Sequence, residues 1–139
     1  MNILAFIIGI AVSILIIVHF KKTRLESSKF AYSFLLFTFP FYYFVFAVYG
    51  NDYAVIPSEF LGGLVFFSIA ILSLRFSDFY KFNFLALGYI LHGIYDVTHH
   101  MFFINAGTPV WWPEFCGVID IILGLYLVIL AFKLRVKLA

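Results

Sequence analysis

Long apolar runs separated by short polar connections dominate this sequence. A helix needs about 20 mostly apolar residues to cross a hydrocarbon core about 30 Å thick. No connection between the runs exceeds about nine residues, as is typical of neighbours in a compact helical bundle. The pattern predicts an all-α integral membrane bundle that forms one domain, 1–139. Its five transmembrane helices, spans 1 to 5, are predicted at 3–20, 30–49, 57–76, 82–104 and 113–132. Pro40 is expected to kink span 2.

Composition supports a membrane location. The chain is 65% hydrophobic and only 12% charged, so it has too little polar surface for a water-soluble globule. Span 1 has no basic segment before it, which favours an uncleaved anchor over a signal peptide. The single Cys116 excludes an internal disulfide and a thiolate zinc cage. The net charge of +2 is explained by basic loops, so no nucleic-acid partner is expected.

The basic residues predict the orientation, because loops retained in the cytoplasm are rich in Lys and Arg. With five spans, all nine basic residues fall on one side, whereas the connections 50–56 and 105–112 contain none. The N-terminus is therefore predicted outside and the C-terminus in the cytoplasm. The basic residues are Lys21, Lys22, Arg24, Lys29, Arg75, Lys81, Lys133, Arg135 and Lys137.

Span 4 carries four ionisable side chains where apolar residues are expected: His92, Asp96, His99 and His100. At about 100° per residue they share an arc of about 100° on one helix face. A buried ionisable group without a partner costs a few kcal/mol or more in a membrane, roughly 2.5–3.5 on insertion scales. These four side chains must therefore face a polar interior or bind a ligand. A hydrogen-bonded polar seam that fixes helix register is the alternative to a functional site.

Depth in the membrane identifies further candidates. At 1.5 Å per residue, Asp96 lies about 12 Å below the outer end of span 4, and Asp120 lies about 10 Å below the start of span 5. The two carboxylates are thus expected at nearly one level. Glu59 and Glu114 begin spans 3 and 5 near His99, although an acid in a first helical turn is also explained by the helix dipole.

Imidazoles and carboxylates at these spacings are ligands for first-row transition metals. The sequence predicts one or two divalent ions, zinc or iron. Asp96 and Asp120 are also the candidate catalytic residues, as metal ligand or orienting group and as ligand or base. The candidate metal ligands are His92, Asp96, His99, His100, Asp120, Glu59 and Glu114.

The leading functional prediction is a metal-dependent membrane enzyme, either a hydrolase or an oxidoreductase. Its substrate would be a lipid or another apolar molecule that reaches an outward-facing site. A channel, carrier or proton relay built on the same cluster is the alternative, and a b-type haem protein ranks last. Small residues on spans 1 and 3 leave room for a homodimer.

Two motifs carry a resemblance. His-Gly-x-x-Asp-x-x-His-His begins at His92, and Thr-Pro-x-Trp-Trp-Pro-x-Phe-Cys-x-x-x-Asp ends at Asp120. Together they resemble a family of small bacterial integral membrane proteins of unknown function. The resemblance implies that spans 4 and 5 form one site and that the protein resides in a bacterial inner membrane. It implies no particular reaction.

Overall fold

The protein folds as a bundle of α-helices. The structure, a computed structural model, describes residues 2–138, with side chains described through residue 136. No strand occurs in that range, so the all-α prediction is confirmed. The helices are α1 (Ile3–Lys22), α2 (Ala31–Thr38), α3 (Phe41–Tyr49), α4 (Ile56–Ser73), α5 (Asp78–Thr98) and α6 (Trp112–Leu138). Short 3-10 turns occur at Leu25–Ser27, Tyr53–Val55 and His99–Met101.

Four helical segments within the described residues are long and apolar enough to cross a membrane. They are Ile3–Lys22, Ala31–Tyr49, Tyr53–Ser73 and Trp112–Val136. Helix α5 has sufficient length, with 21 residues, but its polar side chains make it less apolar than the other segments. The structure therefore supports a helical membrane protein. The count of five spans and their orientation stay predictions.

The second apolar segment is broken at Pro40, as predicted. Helix α2 ends at Thr38 and α3 begins at Phe41. Proline has no backbone N–H, and its ring clashes with the carbonyl one turn earlier, so the helical hydrogen bonds are interrupted there. The backbone at Phe39 and Pro40 stays in the right-handed helical region, so α3 follows directly on α2.

The fourth segment differs from its prediction at both ends. Helix α5 begins at Asp78 instead of residue 82, and Asp78 in the first turn complements the helix dipole. It ends at Thr98 instead of residue 104. The apolar residues that suggested a longer helix, Met101, Phe102 and Ile104, are exposed on the surface of a connection, and apolar composition alone does not distinguish the two conformations. Helix α6 in turn continues past residue 132, where its basic residues complement the dipole at the C-terminal end.

Helices α5 and α6 form the most extensive interface of the bundle. Gly93 allows this approach, because a Cβ atom there would lie 2.9 Å from the carbonyl oxygen of Gly117 and 3.0 Å from Cβ of Asp120. Helix α1 also packs on α6, and α4 packs on α5. Toward the Asp78 end of α5, the core includes the fully buried Leu85 and Leu123. The close α5–α6 contact places polar residues of both helices side by side.

Candidate metal centre

Three fully buried side chains meet at the α5–α6 interface: His92, Asp96 and Asp120. One ligand atom from each residue lies within 4.8 Å of the other two. His92 Nδ1 is 2.7 Å from Asp120 Oδ2 and 3.4 Å from Asp96 Oδ2. His92 and Asp96 share a face because they are four residues apart on one helix, and Gly93 lets Asp120 approach from α6. The juxtaposition of Asp96 and Asp120 expected from depth is therefore observed.

The three residues retain polar atoms that no described side chain satisfies. His92 Nε2, Asp96 Oδ2 and Asp120 Oδ1 are buried without a hydrogen-bond partner in residues 2–136. Two ionised carboxylates this close repel each other, and burial adds a desolvation cost. A divalent cation would neutralise both charges and accept lone pairs from atoms that otherwise have no partner. One nitrogen and two carboxylate donors suit zinc, iron or manganese, so the residues fit the predicted metal.

Neighbouring side chains fix the position of this cluster. The hydroxyl of Tyr43, in α3, donates a hydrogen bond to Asp96 Oδ1 at 2.6 Å. The ring of His92 packs against Phe66 and Phe39, with centroid distances of 4.5 and 5.5 Å. Apolar contacts of this kind hold the imidazole orientation and keep water away. The cluster is thus held by a hydrogen bond from Tyr43 to Asp96 and by aromatic packing around His92.

A second polar cluster lies next to the first, around Glu59. His99 Nε2 lies 3.1 Å from both carboxylate oxygens of Glu59. Asn105 donates to Glu59 Oε1 at 2.7 Å and to the backbone oxygen of Tyr43 at 3.0 Å. Tyr43 joins the two clusters, because its ring stacks on His99 with a centroid distance of 4.2 Å while its hydroxyl bonds Asp96. Tyr95 adds a long 3.5 Å hydrogen bond to Glu59 Oε2.

The structure separates the seven predicted ligands into three sets. His92, Asp96 and Asp120 form one group, whereas Glu59 and His99 form the adjacent ion-pair cluster. The other two lie nearer the surface: His100 is exposed, and Glu114 accepts a hydrogen bond from the backbone N–H of Asn2 at 3.1 Å. Metal ligation by Glu59, His99, His100 or Glu114 stays a prediction.

The sequence reasoning missed two residues that contact the clusters, Tyr43 and Asn105. Tyr43 lies in the aromatic run Phe41–Phe46, where nothing distinguishes an inward tyrosine from a lipid-facing one. Asn105 is assigned above to a connection, yet it is buried. The one feature of the sequence that could have indicated its burial is that this amide side chain directly follows an apolar stretch.

Two cavities lead toward the cluster. A vestibule of about 290 Å³ near the loop ends of α5 and α6 reaches Asp96 and is also lined by Tyr43, His99 and Asn105. A larger groove of about 740 Å³ runs along α5 and α6 beside Phe6 of α1. Asp96 is therefore the member of the buried triad that lines an opening.

Comparison of the chain with protein-family models, curated proteins and solved structures finds no significant match. The resemblance based on the motifs of α5 and α6 accordingly stays a prediction.

Proposed function

We propose that the protein crosses the membrane five times, with α5 as the fourth span. Helix α5 packs against both α4 and α6, and its buried positions run from Lys81 to Asp96. A helix that packs against two apolar spans shares their depth, and its polar residues can face inward. Five spans also leave every basic residue on one side, which gives an outside N-terminus and a cytoplasmic C-terminus.

We infer that His92, Asp96 and Asp120 bind a divalent transition metal, zinc or iron. The observation that carries this inference is the pair of fully buried carboxylates, each with one oxygen that accepts no hydrogen bond from the described residues. A hydrogen-bonded seam would be expected to satisfy these atoms, since buried polar groups are nearly always paired. A bound cation balances two negative charges within an apolar bundle.

We propose that this centre belongs to an enzyme that acts on an apolar substrate from the outer half of the membrane. A bound metal would supply Lewis-acid chemistry or lower the pKa of a water molecule. Tyr43 orients Asp96 through its hydrogen bond, and His99, held by Glu59, lines the vestibule through which a substrate would reach Asp96. Asp120, whose Oδ2 lies 2.7 Å from His92 Nδ1, is the second carboxylate, either ligand or base.

The transport alternative would need a polar path through the opposite half of the bundle. There Leu85, Leu123 and Leu127 are completely buried in a packed core. Ser33 and Ser73 of that region pair with each other through a 2.7 Å hydrogen bond, and the buried hydroxyl of Tyr32 has no hydrogen-bond partner among the described residues. These contacts favour a closed inner half and an outward-opening site.

Metal analysis of protein purified without chelators tests the proposal. We expect about one zinc or iron ion per chain in the wild type and at most a tenth of that in Asp120→Asn and His92→Ala. Asp120→Asn preserves side-chain volume, so loss of metal with an unchanged elution profile separates ligation from misfolding. His19→Ala changes an exposed histidine of α1 and is the matched control. A wild type without stoichiometric metal, or full loading of Asp120→Asn and His92→Ala, would refute the proposal.

A further inference from the structure

The groove beside α5 and α6 has an apolar body and one polar end. Ile94 and Val97 of α5 face Val118 and Ile121 of α6 across it. Its polar side chains are Thr98 and His100, at the end of α5 and just beyond it, and Glu114, in the first turn of α6. All three therefore belong to the same end of the α5–α6 pair. In the proposed topology this end is the outer membrane surface, and the apolar body faces lipid tails.

The groove has the length of a medium alkyl chain. From Gly93 to His100 along α5 it extends about 10 Å, and from Pro113 to Ile121 along α6 it extends about 12 Å. An extended chain advances about 1.1–1.2 Å per bond, since three backbone bonds span about 3.3–3.6 Å. The groove therefore accommodates about ten bonds. Its volume, about 740 Å³, lies within the usual range of ligand sites, roughly 300–1,000 Å³.

The polar end of the groove adjoins the vestibule. His100, Val110 and Pro113 line both cavities. A molecule whose chain fills the groove would therefore place its other end in the vestibule. There it would meet Asp96 and the hydroxyl oxygen of Thr108, which is buried without a hydrogen-bond partner in the described part of the chain.

The vestibule favours an uncharged head group. No Lys or Arg is among its lining residues, and the charge of the proposed divalent cation is already balanced by the carboxylates of Asp96 and Asp120. An anionic head would therefore meet no net positive charge, which is costly in a site of low dielectric constant. A hydroxyl, carbonyl or ester oxygen can instead pair with Thr108 and carries no charge to desolvate.

We propose that the groove and the vestibule together bind a single-chain amphiphile, with a chain of about ten bonds and an uncharged oxygen-containing head group beside Asp96. This inference rests on the proposed function and names the substrate class of the same site. The apolar groove selects the chain and the vestibule selects the head. Ordinary two-chain phospholipids do not meet the second requirement, because their head groups carry a phosphate.

Photolabelling tests the binding directly. The full-length protein in phospholipid nanodiscs is irradiated with 1-decanol that carries a diazirine at the chain end, and the adducts are mapped by mass spectrometry. We expect adducts on α5 and α6 between residues 93 and 121. An excess of unlabelled 1-decanol should reduce them at least fivefold, and an equal concentration of decanoate should not.

Variants with matched controls identify the occupied surface. Val97→Trp fills the groove and should reduce labelling at least fivefold, whereas Val45→Trp, at a similarly exposed valine outside both cavities, should not. Ile94→Trp provides a second groove variant if Val97→Trp fails to fold. Equal labelling of groove and control variants, or no competition by decanol, would show annular lipid contact only and overturn the inference.

Metal content measured on the same samples separates the two proposals. Competable labelling of a metal-free wild type would leave amphiphile binding intact and refute the metal centre. If a fully metal-loaded wild type shows no decanol-competable adducts, amphiphile binding is refuted and the metal centre is not.

Discussion

Tyr43→Phe is the sharpest test of how the buried carboxylate is held. The variant removes the 2.6 Å hydrogen bond to Asp96 Oδ1 while keeping the ring that stacks on His99. Leaving a buried acceptor unsatisfied costs about 1–3 kcal/mol. Hydrogen bonds between membrane helices average about 0.6 kcal/mol and reach about 1.7 kcal/mol. Because Asp96 is fully buried, we expect the upper part of the membrane range, about 1–2 kcal/mol.

Tyr89→Phe is the matched control. Tyr89 is also completely buried, but it donates to a neutral acceptor, the backbone oxygen of Tyr32, at 2.8 Å. Its loss should cost close to the average of about 0.6 kcal/mol. Reversible unfolding by denaturing detergent in mixed micelles, with a chelator present, measures both free energies of unfolding without a contribution from metal.

The same pair of variants reports on metal binding. Residues that orient a ligand typically change metal affinity about 10–100-fold when they are removed. Tyr43→Phe should weaken binding by that amount, and Tyr89→Phe should leave it within about twofold of the wild type, since Tyr89 touches none of the three ligands by hydrogen bond. Equal unfolding free energies for the two variants, with unchanged metal affinity in Tyr43→Phe, would show that Tyr43 does not position Asp96.

Three further predictions concern the metal and its surroundings. Chelation should lower the Tm, because a ligand at 1,000 times its Kd stabilises the folded state by about 4.1 kcal/mol; an unchanged Tm would contradict a resident metal. Gly93→Ala should cost about 1–3 kcal/mol and weaken metal binding, because its Cβ would press on the Gly117 carbonyl next to Asp120. Gly88→Ala, whose added Cβ meets only side chains, should destabilise the protein with metal affinity retained; equal affinities in the two glycine variants would argue against this coupling. His100→Ala should leave metal content unchanged in elemental analysis, since its side chain is exposed, and metal loss would place it among the ligands.

The sequence was sufficient to predict the part of the site that lies on continuous helices. Asp96 and Asp120 were expected at one level from a count that ended span 4 at residue 104, whereas α5 ends at Thr98, about 3 Å beyond Asp96 at 1.5 Å per residue. The predicted pair is observed although that helix end was wrong, because the close contact at Gly93 brings Asp120 against α5. His100 was predicted on the same helix face but lies apart from the pair. Helix α5 ends at Thr98, and the following 3-10 turn changes the angular spacing, so His99 is buried while His100 is exposed.

Contacts made across the bundle could not be predicted in this way. The buried residues Tyr32, Leu36, Tyr43 and Ala47 keep a helical spacing across Pro40. However, every residue of α3 is apolar or aromatic, so the sequence does not mark its inward face. Hydropathy gives no help, because Tyr43 and Tyr42 are neighbours in one apolar run although the first is buried and the second is exposed. Without polar residues to mark the inward face, Tyr43 could not be identified in the way that Asp96 and Asp120 were.

The two neighbouring carboxylate clusters differ in a way that bears on their roles. Both oxygens of Glu59 have partners, since His99 lies 3.1 Å from each and Asn105 donates to one. This is the arrangement of a structural polar seam, in which donors match acceptors. Asp96 and Asp120 each make one hydrogen bond, Asp96 with Tyr43 and Asp120 with His92. Among the described residues the second oxygen of Asp120 has no hydrogen-bond partner, and that of Asp96 has only a 3.4 Å contact with His92 Nδ1. Both clusters are buried in the same bundle, so burial alone does not explain why Asp96 and Asp120 each have an oxygen that accepts no hydrogen bond. The proximity of these two carboxylates favours a cation between them over a second hydrogen-bonded seam.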